Sequence, residues 1–195
     1  MTALKATLTT LALALPALPA FAAQTFETDQ GHTEVRMSWS HAGVSVQTGE
    51  FTTANGTLTL DADAIANSSV SVTIDAASVA SGFKPLDDHL KSPDFLNVEK
   101  FPTITFESTE VKQTGDTTAD VTGNLTIHGV TKPVTLATTL THRGPHPLGQ
   151  VIDYYKGEWV AFSASTQIDH MEFGVGAFST GPITIEISTE MREKK

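Results

Sequence analysis

The sequence predicts an all-β fold, either a barrel or a sandwich of about eight or nine short antiparallel strands. Three observations support this prediction: apolar and polar residues alternate in six segments, turn residues separate the segments, and only one stretch between them lacks the alternation. Successive side chains of a strand point to opposite faces, so one-sided alternation is typical of antiparallel strands around a single interior. Short and numerous strands favour barrels and sandwiches.

The alternation is clearest in segments rich in Val, Ile, Thr and Phe. Every second residue is apolar, and the residues between are mainly Ser, Thr or charged, a composition that favours extended structure over helix. The apolar members are Val35, Met37 and Trp39; Val70, Val72 and Ile74; Ile104 and Phe106; Val121, Leu125 and Ile127; Phe162, Ala164 and Ile168; and Ile183, Ile185 and Ile187.

Clusters of turn residues divide these segments. We expect the chain to reverse at four places, because Gly, Pro, Asn and Asp accept the backbone angles of turns. They are Ala54-Asn55-Gly56, Gly115-Asp116, His128-Gly129-Val130 and Gly144-Pro145-His146-Pro147. No linker or repeat divides the chain, so residues 23–195 are predicted to form one domain.

One stretch, from residue 81 to residue 101, loses the period of two. Ser81 is predicted to cap a helix, and Pro85 suits its first turn. Three further residues have the spacing of one helix face: Leu86, His89 and Leu90. The sequence therefore predicts a short helical insertion, at about 84–98, that crosses and partly covers an opening at one end of the barrel.

Residues 1–22 are predicted to be a signal peptide. Lys5 precedes an apolar run at 6–18, and Pro19-Ala20-Phe21-Ala22 has the small residues of a cleavage site. The run is shorter than the roughly 20 residues that span a bilayer. A packed N-terminal helix is the alternative. Cleavage near Ala22 predicts a periplasmic or secreted protein.

The charge of the chain limits its partners. The formal net charge is −10, and removal of residues 1–22, whose only charged side chain is Lys5, leaves 11 basic and 22 acidic residues, or −11. An acidic surface repels nucleic acid and anionic membranes. No mature segment is apolar enough to predict stable membrane insertion, and no Cys is present.

No sequence motif predicts a catalytic residue, a metal site or a cofactor. A nucleophile elbow, a P-loop and a dinucleotide glycine motif are all missing from the sequence. His142 and His146 have the spacing of a helical metal site, but Gly144, Pro145 and Pro147 prevent a helix there. The seven His and 22 acidic residues could form a site across strands, although no spacing requires one.

The alternation leaves two kinds of interior open. A closed eight-stranded barrel holds either a packed core or one small ligand. The predicted inner residues are mostly Val, Ile and Ala with a few aromatics, so any remaining cavity would suit an apolar ligand. Each buried methylene group contributes about 0.8 kcal/mol, which is enough to hold a long chain without specific polar contacts.

Four segments of the chain resemble the signature of the YceI-like family. They are residues 67–75 (NSSVSVTID), residues 86–109 (LDDHLKSPDFLNVEKFPTITFEST), residues 121–136 (VTGNLTIHGVTKPVTL), and the spaced residues Asp29, His32, Thr33, Val35, Met37, Trp39 and His41. The resemblance covers nearly all of the mature chain. It implies a lipocalin-like antiparallel β-barrel with an elongated cavity that binds polyisoprenoids, isoprenoid quinones or related long-chain lipids, for transport or storage.

Two residues depart from the family pattern. Leu86 and His170 stand where the family usually has Arg. Because an Arg guanidinium is a fixed, forked donor for carboxylate or phosphate, its replacement weakens the expectation of a strongly anionic headgroup. A neutral or quinone-like headgroup is relatively favoured.

The candidate ligand-binding residues fall into two groups. Aromatic side chains are predicted to form the cavity wall: Trp39, Phe83, Phe95, Phe106, Phe162, Phe173 and Phe178. Polar side chains are predicted to meet the headgroup: His41, Asp87, His89 and His170. For each residue, ordinary packing or a hydrogen bond that fixes the fold is the structural alternative.

The leading functional hypothesis is a lipid carrier rather than an enzyme. One alternative is a barrel enzyme that uses a His–carboxylate pair, such as His89 or His41 with an acid, on a lipid-like substrate. Another is a packed, ligand-free structural or stress-protective module. A homodimer is possible, but no residue pattern predicts its interface.

Overall fold

The computed structural model describes residues 23–177 and 181–194. Within these ranges the chain forms ten β-strands, one α-helix and several short 3₁₀ turns. The strands are β1 (Gln24–His41), β2 (Ser45–Phe51), β3 (Ala54–Leu60), β4 (Ser69–Asp75), β5 (Val79–Ala80), β6 (Thr103–Gln113), β7 (Thr118–Ile127), β8 (Val130–Pro145), β9 (Glu158–Ile168) and β10 (Ile183–Glu193), and the helix is α1 (Lys84–Lys91).

Eight of these strands close into an antiparallel barrel. Their order around the barrel is β1-β3-β4-β6-β7-β8-β9-β10, and β10 pairs back with β1 from Phe26↔Glu193 to Ser38↔Thr184. Closure removes the free sheet edges of these eight strands. The predicted all-β barrel of about eight strands is therefore confirmed, and the sandwich alternative is excluded.

The predicted turn at Ala54-Asn55-Gly56 is wrong, because these residues begin strand β3. The chain bends earlier, at residues 52–53, and β3 pairs with β4 from Ala54↔Ile74 to Thr59↔Ser69. Ala54 is 3% exposed, and a Cβ on Gly56 would lie 3.0 Å from the Thr28 side chain. Small residues are used here because the inner face is crowded.

The helical insertion is present but shorter than predicted. Helix α1 ends at Lys91, since Ser92 has extended backbone angles, and turns follow as far as residue 100. Ser81 does not cap the helix: its N–H and hydroxyl both donate to Asp87 at 2.6 Å. Among the described residues, no helix is long and apolar enough to cross a membrane.

The two ends of the barrel differ in the segments that lie near them. At the α1 end lie helix α1, the β7–β8 turn and a 3₁₀ turn at His170–Phe173. At the other end lie the β6–β7 turn and the β8–β9 connection, residues 146–157, which we call the strap. We call this second end the strap end.

The inner face carries two groups of buried side chains. The larger one follows the barrel interior towards the α1 end and includes Val35, Phe106, Leu125, Ile168 and Phe173. The smaller one closes part of the strap end, and its members are Phe26, Leu58, Leu60, Val160 and Met191. The apolar members of the predicted alternation therefore face inward, with Trp39 as the exception considered below.

Gly123 is required by the close approach of strand β6. A Cβ at this position would lie 2.6 Å from the Glu107 carbonyl oxygen and would also overlap the Phe106 ring. This carbonyl belongs to the β6–β7 ladder, so it cannot move away without disturbing the pairing of the two strands. We expect Gly123→Ala to lower the free energy of unfolding by about 1–3 kcal/mol.

Urea denaturation followed by far-UV circular dichroism would measure this loss. Gly43→Ala is a useful comparison, because nothing lies within 4 Å of its Cβ position and its cost comes only from the positive φ of 74°. A Gly123→Ala protein that is as stable as the wild type would contradict the packing described here.

Candidate functional site

The barrel encloses an elongated apolar cavity of about 310 Å³. This volume lies within the range of about 300–1,000 Å³ that is usual for small-molecule sites. All eight barrel strands contribute to its wall, which is formed mainly by Val, Ile, Leu and Phe side chains. Central wall residues include Val72, Phe106, Val121, Leu136, Ala164, Ile185 and Ile187. The interior is therefore hollow rather than completely packed.

Few charged side chains contribute to this wall. Among the described lining residues, Arg36 and Asp116 carry such charges. Arg36 lies between the inward residues Val35 and Met37, and its side chain is 58% exposed, so it points out of the barrel. Asp116 belongs to the β6–β7 turn at the strap end. The length of the cavity between its two ends thus offers an uncharged environment.

The cavity opens at the strap end. Lining residues there are exposed to solvent, namely Gln113 at the end of β6, Gly115, Asp116 and Thr117 of the β6–β7 turn, and Ser69 at the start of β4. With the neighbouring Ser68 and Thr118, they form a mouth rich in hydroxyl groups. An apolar cavity that meets water through such residues has one polar and one apolar end.

The cavity is closed at the α1 end. Lining residues at that end are buried: Ile127, Ile168, His170, Phe173 and Val175 are each at most 9% exposed. Leu96, from the turns that follow α1, also reaches the wall. The insertion therefore covers the end of the barrel as predicted, but it covers the closed end and not the mouth.

His170 is the titratable side chain at the closed end of this wall. It is 5% exposed, and its Nδ1 lies 2.5 Å from the carbonyl oxygen of Val175. An N–H at Nδ1 therefore donates to the backbone and fixes the ring against the turn at 170–175. Gly174, with a φ of 70°, allows the chain to make this turn.

Four of the predicted ligand-binding residues line the cavity. Phe106, Phe162, His170 and Phe173 contribute to its wall from β6, β9 and the 3₁₀ turn. Phe178 lies outside the described residues. The ligand contacts of these side chains remain predictions, but the alternation placed the first two aromatic rings on the correct face.

The other predicted residues lie at the α1 end, outside the cavity wall. Trp39 and His41 belong to the last part of β1, which pairs with β2, and His41 is exposed. Phe83 is 63% exposed. Asp87 binds Ser81, while the rings of His89 and Phe95 pack edge to face at 4.7 Å. The structure therefore does not bring the predicted polar group together around the cavity.

The hydroxyl-rich mouth is not predicted by any pattern in the sequence. Its residues come from the β6–β7 turn and from the segment before β4, which are about 45 positions apart in the sequence. The only signal was Gly115-Asp116, and it identified a turn without showing that the turn borders a cavity. Ser69 and Thr117 can be placed at the same end of the barrel only when the order of the strands is known.

A second polar cluster lies outside the barrel, where the strap crosses β1 and β10. Asp29 accepts hydrogen bonds from His32 Nδ1 at 2.9 Å and from the Gly31 N–H at 3.0 Å, and Tyr154 also donates to it. His146 Nε2 lies 3.4 Å from a Glu190 carboxylate oxygen. No group of three or more side chains in residues 23–177 and 181–194 is arranged to hold a metal ion.

The Asp29–His32 pair should make stability depend on pH. Burial raises the pKa of Asp29, but the hydrogen bonds from His32, Gly31 and Tyr154 outweigh it, so that the pKa lies below 3.8. The hydrogen bond to Asp29, with the nearby Glu190 charge, raises the pKa of His32 above 6.5. The His32 contribution is complete below pH 6.5 and lost at higher pH, whereas the Asp29 contribution is lost on acidification.

We therefore expect His32→Gln to be most destabilising between about pH 4 and 6.5, with a smaller effect above pH 8. Urea unfolding across this pH range would measure the difference from the wild type. NMR titration of Asp29→Asn should also show a lower pKa for His32. A destabilisation that is constant from pH 4.5 to 9 would contradict the assignment.

The closed eight-stranded antiparallel barrel, with its apolar cavity, defines a class by fold, that of lipocalin-like β-barrels. The sequence profile of the YceI-like domain matches residues 26–192. A UPF0312 protein of Pseudomonas putida is 39% identical, and the alignment covers 98% of this chain and 100% of the relative. The chain therefore belongs to the YceI-like family, as its sequence motifs indicate.

Two solved structures have the same fold. BcnA of Burkholderia cenocepacia has a TM-score of 0.73 at 23% identity, over 84% of this chain and 98% of BcnA. A polyisoprenoid-binding domain from Saccharophagus degradans, implicated in plant cell wall breakdown, has a TM-score of 0.65 at 9% identity, over 88% of this chain and 99% of that domain. At these identities the similarity concerns the fold alone.

Proposed function

We propose that this protein binds one long-chain lipid of the polyisoprenoid or isoprenoid quinone type and carries or stores it. The observation that supports this most directly is the apolar cavity, which is open at the strap end and closed by Ile168, His170 and Phe173 at the α1 end. The fold that it shares with a polyisoprenoid-binding domain points to the same ligand class.

The shape of the cavity favours entry of the hydrocarbon tail first. The tail would lie against Val, Ile and Phe side chains, and each buried methylene group would contribute about 0.8 kcal/mol. The headgroup would remain at the mouth among Ser68, Ser69, Thr117 and Thr118. This arrangement replaces the predicted headgroup site at Asp87, His89 and His41, which lies at the other end.

The mouth favours a neutral headgroup over an anionic one. Hydroxyl groups hydrogen-bond a prenol or a quinone oxygen, whereas the carboxylate of Asp116 repels a phosphate. We therefore infer that prenols and quinones bind more tightly than prenyl phosphates of equal length.

Native mass spectrometry of the purified protein, followed by organic extraction, tests this function. We expect a bound species of discrete mass, and after extraction we expect one molecule of added prenol or quinone to rebind. Prenyl phosphate should bind more weakly. The proposal is contradicted if no lipid is recovered and if neither prenol nor quinone binds to the extracted protein.

We further propose that the carrier acts in the periplasm after cleavage of residues 1–22. The apolar run and the Ala20-Phe21-Ala22 sequence support this location. Cell fractionation and N-terminal sequencing should give a mature chain that begins at Ala23. A cytoplasmic chain that retains Met1 would contradict this part of the proposal.

A further inference from the structure

Four large apolar side chains are exposed together on the strap. Leu148, Val151, Ile152 and Tyr154 are between 44% and 78% exposed, and they lie within seven consecutive residues. Single exposed apolar residues are common, but a contiguous group on a soluble domain usually marks an interaction surface. We call these four residues the apolar lip.

The lip is held in a defined conformation. The N–H groups of Gly149 and Ile152 donate to the carbonyls of His146 and Leu148, each at 2.9 Å. Trp159, which is 1% exposed, donates its indole N–H to the Tyr155 carbonyl at 3.0 Å, and the Tyr155 ring stacks on His146 at 4.3 Å. The apolar side chains are thus presented to solvent by a strap fastened to the barrel.

The charged side chains described beside the lip do not form a basic cluster. Asp153 pairs with Lys156 at 2.7 Å, and the Arg192 guanidinium lies 5.7 Å from the centre of the Tyr154 ring. A surface that binds anionic lipids would need a cluster of unpaired Lys or Arg. This lip offers apolar and aromatic groups without such a cluster, and these groups suit the interface of an electrically neutral bilayer.

The lip and the cavity mouth lie at the same end of the barrel. Leu140 of β8 lines the cavity, and its N–H donates to the Thr117 carbonyl of the mouth at 2.8 Å. From Leu140, β8 continues to Pro145 and enters the strap directly. Five residues of extended chain, or about 17 Å, therefore separate the mouth from the beginning of the strap.

The area of the lip is too small for a stable dimer. Even if each side chain had the roughly 200 Å² of an aromatic ring, the four would expose roughly 400 Å² in total, because on average only about half of each is exposed. A stable protein interface buries about 800 Å² on each partner. A surface of this size is better suited to weak and reversible contact with a lipid surface.

We propose that the apolar lip docks this protein on the surface of a neutral, zwitterionic bilayer, with the cavity mouth close to the lipids. This inference rests on the proposed function, since docking brings the mouth to the source or the acceptor of the carried lipid. The overall acidic charge of the chain keeps the contact reversible and disfavours anionic membranes.

Co-flotation with phosphatidylcholine vesicles tests the docking of the full mature protein. We expect the double variant Val151→Ser and Ile152→Ser to bind vesicles at least about tenfold more weakly than the wild type. The matched control is Val44→Ser with Val46→Ser, because these two residues are 83% and 71% exposed on the β1–β2 hairpin at the α1 end. The control should bind vesicles like the wild type.

A second measurement separates this inference from the proposed function. Lipid retention in vesicle-free solution should be equal in the wild type and both double variants, whereas transfer of a fluorescent quinone between vesicles should slow only in the lip variant. Equal vesicle binding by all three proteins would overturn the docking while leaving the carrier function intact. The docking proposal would also be overturned if vesicle binding required phosphatidylglycerol, or if sedimentation showed that the wild type forms a dimer that the lip variant does not form.

Discussion

Replacing Ala164 by Trp is expected to weaken lipid binding about a hundredfold. Ala164 lies on the cavity wall between Thr138 of β8 and Ile187 of β10, and all three side chains line the interior. An indole at this position would occupy space that the lipid tail needs. Loss of about four buried methylene groups corresponds to about 3 kcal/mol.

The control for this variant is Ser165→Trp. Ser165 is the next residue on the same strand, it is exposed, and its side chain points out of the barrel. Both variants add the same group to β9, so only the face differs. Isothermal titration with a prenol should show weak binding for Ala164→Trp and wild-type binding for Ser165→Trp. Equal affinities would mean that the lipid does not occupy the barrel.

Replacing Phe26 by Ala is expected to lower the free energy of unfolding by about 3–5 kcal/mol. Phe26 is 1% exposed and packs with Leu58, Leu60, Val160 and Met191 in the cluster that closes part of the strap end. Its removal leaves a hole in a packed region. Near this ring β1 also joins β3 and β10, so the loss acts where the barrel closes.

Phe162→Ala provides the comparison, because Phe162 borders the cavity. A ring with empty space on one side has fewer neighbours to lose, and we expect a cost of about 1–2 kcal/mol in the lipid-free protein. Urea unfolding after lipid extraction would measure both variants, since bound lipid would add stability of its own. Equal losses would indicate that the interior around Phe162 is packed as tightly as the region around Phe26.

The barrel could be predicted from the sequence because its strands have one apolar and one polar face. Ile183, Ile185 and Ile187 alternate without interruption, and the structure places all three on the cavity wall. The sequence-based prediction is wrong at a position where close packing of side chains outweighs the preference of the residues for a turn. Asn55-Gly56 reads as a turn, but in the structure it is part of β3, where only a small residue fits beside Thr28.

The ends of the barrel could not be predicted in the same way. Alternation predicts which face of the sheet a residue lies on, but it does not predict how far along the barrel axis the residue lies. Trp39 and His41 are therefore expected inside. They share the parity of Met37, which lines the cavity, yet they belong to the part of β1 that pairs with β2 beyond the wall. The position of the mouth depends on contacts between distant turns, which leave no local pattern.

The hollow interior also has no signature in the residues alone. Packed and hollow barrels place the same Val, Ile and Phe side chains inward, and the difference depends on barrel diameter and on side-chain directions across the centre. The resemblance to the YceI-like family favours a cavity, whereas the alternation of residues does not distinguish the two interiors. The volume of the cavity and its closed end at His170 and Phe173 became visible only with the strands assembled.

The most direct test of the lipid-carrier proposal is a crystal structure of the protein loaded with a prenol or quinone that carries bromine at the end of its tail. We expect anomalous bromine density inside the barrel at the α1 end, near Ile168 and Phe173, with the headgroup beside Thr117. Bromine density outside the barrel, or side chains that meet across the centre and leave no space, would contradict the proposal.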